Sequence, residues 1–334
     1  CADASAMLVV LVGGLRAMVL LYLVDFVVVV LVVVVSGVFG AAVALAKMAA
    51  IEARMGIRRQ QAIEAFERFV KRYPNDTVYT PPAMFRLAEL HYEEAKQANL
   101  IAEERYEEQM ELFNDGKLSE EPPATQMDLS RSIELYETIL KRFPGYERND
   151  AVQYLWAYCQ AEIGEIERER DGFLALVRNY PDSQFRTEAW LRVGENYFDE
   201  DMLCEALDAY SKVLSDTESS LYDKALYKVA WTHYKLDRFE DAVGRFFQLV
   251  DFAEERAKKT GQRGSDVRTE AIQYLAISAT EDRWGRPRVP ETLEGCREVT
   301  AGDESWDEQE ILAQEEREAR GIPEPPKVQP HERL

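Results

Sequence analysis

Apolar residues recur three and four places apart along most of this chain, the period of helices buried on one face. The segment from Ala189 to Val213 shows the pattern most fully. Trp190, Val193, Gly194 and Tyr197 fall at i, i+3, i+4 and i+7, and Asp199, Glu200 and Asp201 then break the run. Ala206, Tyr210 and Val213 follow at i, i+4 and i+7 as a second stripe. Small Gly194 and Ala206 let two antiparallel axes approach, while Trp190, Tyr197 and Tyr210 fill the space around them. Downstream, Leu226, Val229, Ala230 and His233 pair with Ala242, Phe246 and Leu249. Upstream, Trp156 and Ala157 pair with Phe173 and Leu176, and Met84, Leu87, Ala88 and His91 with Ser132, Tyr136 and Ile139. Ala62, Phe66 and Phe69 supply the second helix of an earlier unit, and Leu275, Ala276 and Ala279 begin a last one. Three second helices run into proline, at KRYPND (71–76), KRFPGY (141–146) and RNYPDS (178–183), which cannot continue a helix.

A bulky–small–bulky first helix followed by Ala and an aromatic one turn apart resembles the tetratricopeptide repeat, W-x2-L-G-x2-Y, A-x3-F, then P. Tyr197 to Ala206 is nine residues, the family's spacing, and Glu218 stands where its last proline would be. The resemblance implies an all-α fold, a right-handed α-solenoid of about five helical hairpins between residues 43 and 282. It also implies a non-catalytic scaffold for protein–protein interactions. In this family certain places of each first helix line a concave groove. On this sequence they carry Phe85, Glu89 and Tyr92, then Tyr154 and Tyr158, then Leu191, Glu195 and Phe198, then Tyr227, Trp231 and Tyr234. Such an aromatic and acidic strip suits a partner peptide or helix, and a basic one better than an acidic one. The competing reading is that these rings pack against the neighbouring repeat. Repeats that clamp a C-terminal carboxylate use Lys and Asn at two of these places, and this chain has neither there.

The domain organisation follows the pattern. Residues 47–282 form the repeat array. His91 and Ser132 lie 41 residues apart where the repeat needs nine, so 96–128 is an insertion. Ile101, Tyr106, Met110 and Phe113 share one face and predict a helix to about Phe113, followed by an exposed linker at SEEPPATQ (119–126). ERAKKTGQRGSD (255–266) reads as a shorter solvated loop. Residues 283–334 form an acidic, Pro-containing extension, with one helix expected from Ser305 to Arg320.

Residues 1–46 are an apolar N-terminal segment, expected to be helical. Phe26 to Ala46 carries no charge and has roughly the 20 residues needed to span a bilayer. A membrane anchor, a signal peptide and an artefact of low complexity are the three readings of this run. Lys47, Arg54, Arg58 and Arg59 follow it and only Arg16 precedes it, which would keep the repeats cytoplasmic. The K/R-x-Y/F-P endings and the Phe66/Phe69 spacing point the other way. They resemble bacterial cell-envelope repeat proteins, among them the outer-membrane-assembly lipoprotein and the Tol–Pal coordinator. That resemblance implies a membrane-associated protein with its repeats in the periplasm. The competing functions are a cytoplasmic adaptor of a secretion or motility machine and a regulatory repeat region of a larger enzyme.

Composition narrows the chemistry. A net charge of −21 disfavours nucleic acid, which needs clustered Lys and Arg. No P-loop, G-x-S-x-G or H-E-x-x-H occurs, so no catalytic residue, cofactor or metal site is expected. His91 and His233 take the Tyr place of a first helix and read as packed structural residues. The four cysteines show no C-x-x-C spacing and suggest neither a zinc site nor a disulfide framework. Cys159 and Cys204 read as small buried hydrophobes.

Overall fold

The computed structural model describes residues 54–261, 263–281 and 284–321. The apolar run at 1–46 and the stretch after Gly321 lie outside them. Among the described residues every regular element is helical, and no helix is long and apolar enough to cross a membrane. The chain divides into two compact units at Lys71/Arg72. Helix α1 covers 54–72 and belongs to the first unit except for its last residue. Ile63 is buried and Ala62, Phe66 and Phe69 half-buried along it, the face that the period predicts.

The second unit is a row of antiparallel hairpins. They are α2 (Thr80–Asn114) with α3 (Ser130–Arg142), α4 (Asn149–Glu162) with α5 (Ile166–Asn179), α6 (Arg186–Asp199) with α7 (Leu203–Leu214), and α8 (Tyr222–Lys235) with α9 (Phe239–Thr260). Helix α10 (Arg268–Thr280) packs on α9 in the place of a further first helix. Each helix packs mainly on its neighbours in the chain, the contact plan of an α-solenoid. The apolar stripes read from the sequence are the ones buried: Phe173, Leu176, Tyr210, Val213, Phe246 and Leu249 are at most 1% exposed.

Proline sets where second helices stop. α3 and α5 end two residues before Pro144 and Pro181. The residues preceding proline, Phe143 and Tyr180, are pushed out of the helical region to ψ 58° and 66°. Asn149 then donates its amide to the freed Phe143 carbonyl at 2.9 Å, tying the next first helix to the turn.

Helix α2 is 35 residues long, and only its stretch from Thr80 to Leu90 contains buried residues. The Ser132 hydroxyl donates to the Ala88 carbonyl at 2.9 Å, which returns the chain to the base of this arm. Ala88 and Asn114 are about 39 Å apart along a helix. Residues 115–131 reach about 56–61 Å when extended, ample for that return, so the linker runs back beside α2. Tyr106, Met110 and Phe113 are accordingly half-buried and Pro122 is buried, while Ile101 is exposed. The stretch expected as a loop at 255–266 is partly helical: α9 continues to Thr260 and ends at Gly261, with φ 68°.

The cysteine expectation is corrected. Cys159 is a free, buried thiol, but Cys204 is disulfide-bonded to Cys296 across 92 residues. The partner comes from the C-terminal extension, which turns back over the array. It is non-helical from Trp284 to Thr292, then forms α11 (Leu293–Thr300) and α12 (Asp303–Ala319). Helix α11 packs on α7, and Val289 and Cys296 join the buried cluster around Leu207, Tyr210 and Val229. His233 is 2% exposed and shares a hydrogen with Glu291 at 3.2 Å, so it is a packed structural histidine. Burial pushes the Glu291 carboxyl up, but hydrogen bonds from His233 and Arg245 outweigh this and hold it below its usual value.

Candidate protein-binding face

The first helices α2, α4, α6 and α8 of the second unit carry the aromatic and acidic positions picked from the sequence, and α10 follows them in the row. Their periodicity brings each set into a stripe, but the stripes differ in how far they reach solvent.

Between α8 and α10 the face is closed. Trp231 meets the Tyr274 ring edge-on with centroids 4.3 Å apart. The Tyr227 hydroxyl donates to Glu270 at 3.1 Å and the Tyr234 hydroxyl to Glu281 at 2.6 Å. The bond to Glu281, with burial, pushes the Tyr234 phenol up to about 12. Burial, then the bond to Glu270, likewise raises Tyr227, partly opposed by a bond with Trp231. Both phenols therefore stay neutral donors at physiological pH. Between α4 and α6 the arrangement repeats: Tyr154 stacks on Phe185 at 4.6 Å and donates to Glu188 at 2.8 Å. Between α6 and α8 the tie is ionic. Glu195 pairs with Lys228 at 3.5 Å, and Lys228 and Lys235 lie over the Phe198 ring at 5.7 and 4.7 Å.

Between α2 and α4 the rings also meet, but a cleft opens beside them. Tyr92 and Tyr158 meet edge to face at 6.3 Å in the lining of this cleft of about 300 Å³. Its walls include Leu155 and the buried Tyr136 and Cys159, and Arg86, Glu89 and Glu93 also line it. Arg86 pairs with Glu89 at 2.9 Å and Glu93 at 3.7 Å. Burial, then the charge of Glu162, raises the Tyr92 phenol; the hydrogen bond to Glu162, then burial, raises Tyr158. The Cys159 thiol is pushed up to about 12 by burial and by Glu162, so it is not a thiolate at neutral pH. Among the described residues no group of three His, Cys, Asp or Glu is placed to hold a metal ion.

The structure thus brings Glu89, Tyr92 and Tyr158 together around one cleft. It sets Tyr154, Glu195, Phe198, Tyr227, Trp231 and Tyr234 as half-buried links between successive first helices. Phe85 lies inside the hairpin: it is 3% exposed, packs on Tyr136 at 6.1 Å and is covered by Arg148 at 4.5 Å. Sequence reasoning did not find Leu155, Tyr136 and Cys159 as cleft walls. It also missed Glu188, Glu270, Glu281 and Tyr274 as partners of the rings. The recurrence of a carboxylate near the start of the facing first helix was the available signal for Glu188 and Glu270.

The tetratricopeptide repeat model matches residues 43–76 and 151–183. The second match covers α4 and α5 and the turn that ends them, so the repeat assignment holds for this hairpin. None of the curated proteins matches this chain in sequence. Among solved structures, the chain is similar to MamA protein at 18% identity and TM-score 0.32, over 48% of this chain and 87% of that one. It is similar to nearly identical TPR-like repeats of a putative kinesin light chain from Podosopora anserina at 15% identity and TM-score 0.36, over 66% of this chain and 93% of that one.

Proposed function

We propose that this chain is a non-catalytic scaffold that grips a segment of a partner protein on its first-helix face, with the α2/α4 cleft as the anchor. The observation that carries the reading is the difference along that face. Tyr154, Tyr227, Trp231 and Tyr234 are tied to carboxylates or rings at the next first helix, whereas Tyr92 and Tyr158, which meet each other across α2 and α4, also line a cleft beside Leu155. Apolar cleft walls edged by rigid phenols suit a large side chain of an incoming peptide or helix. Glu89 and Glu93 outnumber Arg86 there and favour a basic partner.

The scaffold is membrane-anchored through residues 1–46 in a bacterial cell envelope, with the repeats on the periplasmic side. The Cys204–Cys296 disulfide supports that side, because disulfides persist in oxidising compartments and are rare in the cytosol. The charges at Lys47, Arg54, Arg58 and Arg59 favour the alternative, a cytoplasmic-facing adaptor.

A photo-cross-linking residue at the exposed Glu93 on the cleft rim should capture a discrete partner in cells, and one at the exposed Asp251 on α9 should not. Equal capture at both positions, or at neither, would sink the cleft. With the cross-linker at Glu93, Tyr158→Ala should lose capture with a smaller drop in the melt than Trp231→Ala causes. Fractionating the full chain against one beginning at Ala50 tests the anchor: equal solubility of the two ends that part of the reading.

A further inference from the structure

The C-terminal extension reaches two hairpins at once. On α7 it is held by the Cys204–Cys296 disulfide, by the Arg297–Glu205 pair and by the Leu293 amide, which donates to Asp208 at 3.3 Å. On α9 it is held by the Val289 amide, which donates to Asp241 at 3.3 Å, and by Arg288 to Glu240 at 3.0 Å. Arg245 of α9 also pairs with Glu291 at 2.6 Å, and fully buried Arg238 with Asp303. The segment between these anchors is non-helical, and Pro287 and Pro290 restrict its backbone. The other extensive helix contacts join neighbours in the chain, so α11 on α7 is a tie of a different kind. In a hairpin array, the angle between successive units is otherwise set by their shared interface alone.

We infer that residues 286–303 are a disulfide-locked strap that fixes the α6/α7 hairpin against the α8/α9 hairpin, and that a dithiol reductant unlocks it. One thiolate of the reductant attacks a sulfur of the Cys204–Cys296 bond and forms a mixed disulfide. Its second thiolate then expels the remaining cysteine sulfur. The reductant leaves as a disulfide, having given two electrons, and Cys204 and Cys296 take up two protons as thiols. Cys204 is 8% and Cys296 0% exposed, so the attack follows an opening of α11. The polar ties to α9 oppose that opening, which makes the lock slow to release and quick to re-form.

Hydrogen exchange on the full chain, oxidised and after treatment with dithiothreitol, tests the strap. On reduction, amides of 286–300 and of the α7–α8 junction at 214–222 should exchange at least about tenfold faster. Those of α4 and α5 should not change. The double variant Cys204→Ser/Cys296→Ser should reproduce the reduced profile and ignore dithiothreitol, which separates the lock from any effect at Cys159. Unchanged exchange in 286–300 on reduction would overturn the inference, and so would equal acceleration throughout α4 to α9. Four reactive thiols in protein unfolded without reductant would remove the lock altogether.

Discussion

Gly164, Asp201 and Asp237 hold the same place in three successive hairpins, two residues past the end of the first helix. All three are left-handed, with φ of 78°, 57° and 57°. Only glycine takes that conformation without strain, and aspartate tolerates it better than most residues. Gly164→Ala should therefore cost about 1 kcal/mol, although a Cβ there would meet nothing within 4 Å. Gly244 is also unobstructed but sits inside helix α9, so Gly244→Ala should gain about 0.5–1 kcal/mol. Urea melts that move both variants in the same direction would contradict this. Glu169 shows the cost of a buried charge. It is 5% exposed, and burial raises its carboxyl pKa despite the amide of Asn196, which donates to it at 3.2 Å. A carboxyl raised in the folded state contributes stability below its unfolded pKa and loses it as pH rises through the folded value. Glu169→Gln keeps an acceptor for Asn196, so it should raise the melting temperature at pH 7. The gain should vanish below about pH 4. A gain independent of pH would mean that packing, not ionisation, is responsible.

The hairpin is the element that the sequence states most clearly, because its rule is local. A small residue on the first helix receives a ring from the second: a Cβ on Gly194 would lie 2.5 Å from the Tyr210 ring. Gly172 reverses the roles, its Cβ position falling 2.8 Å from the Trp156 ring. Gly194→Leu should destabilise by roughly 1–3 kcal/mol through overpacking. A melt unchanged within error would show that α7 can move aside. Such contacts are legible because both partners repeat at the helical period within one unit. Whether a ring on the first helix meets solvent or the next unit is not, since that depends on how hairpins stack. Tyr154 and Trp231 have the same spacing signal as Tyr158, yet they spend it on Phe185 and Tyr274. Phe85 has the spacing of a surface position, yet Arg148, 63 residues on, covers it. The strap was illegible for a related reason. It has no helical period between Trp284 and Thr292, and its charges pair with residues that look like any other solvated helix face.

At the scale of the whole second unit, contacts run mainly from neighbour to neighbour, with one closure near the end. Stability in such an array is the sum of each hairpin and its interfaces, so it need not be uniform. Hairpin α2/α3 meets the rest of the unit through α4, and 24 residues of α2 extend past Leu90, beyond its last buried residue. Hairpins α6/α7 and α8/α9 have neighbours on both sides and are joined again by the C-terminal extension and its disulfide across 92 residues. A cross-link of that span removes much of the unfolded ensemble's freedom, about 4–5 kcal/mol in the chain-entropy account. Native-state hydrogen exchange in low urea should therefore show a gradient. Amides of α2 beyond Leu90 should open first, α3 next, and those of α7 to α9 last, with an opening free energy higher by about 3 kcal/mol or more. Reduction should flatten the gradient from the α7–α9 side and leave α2 and α3 where they were. If all core amides instead merged into one opening with one urea dependence, the unit would unfold as a single cooperative block, and neighbour-to-neighbour coupling would be stronger than its contacts imply.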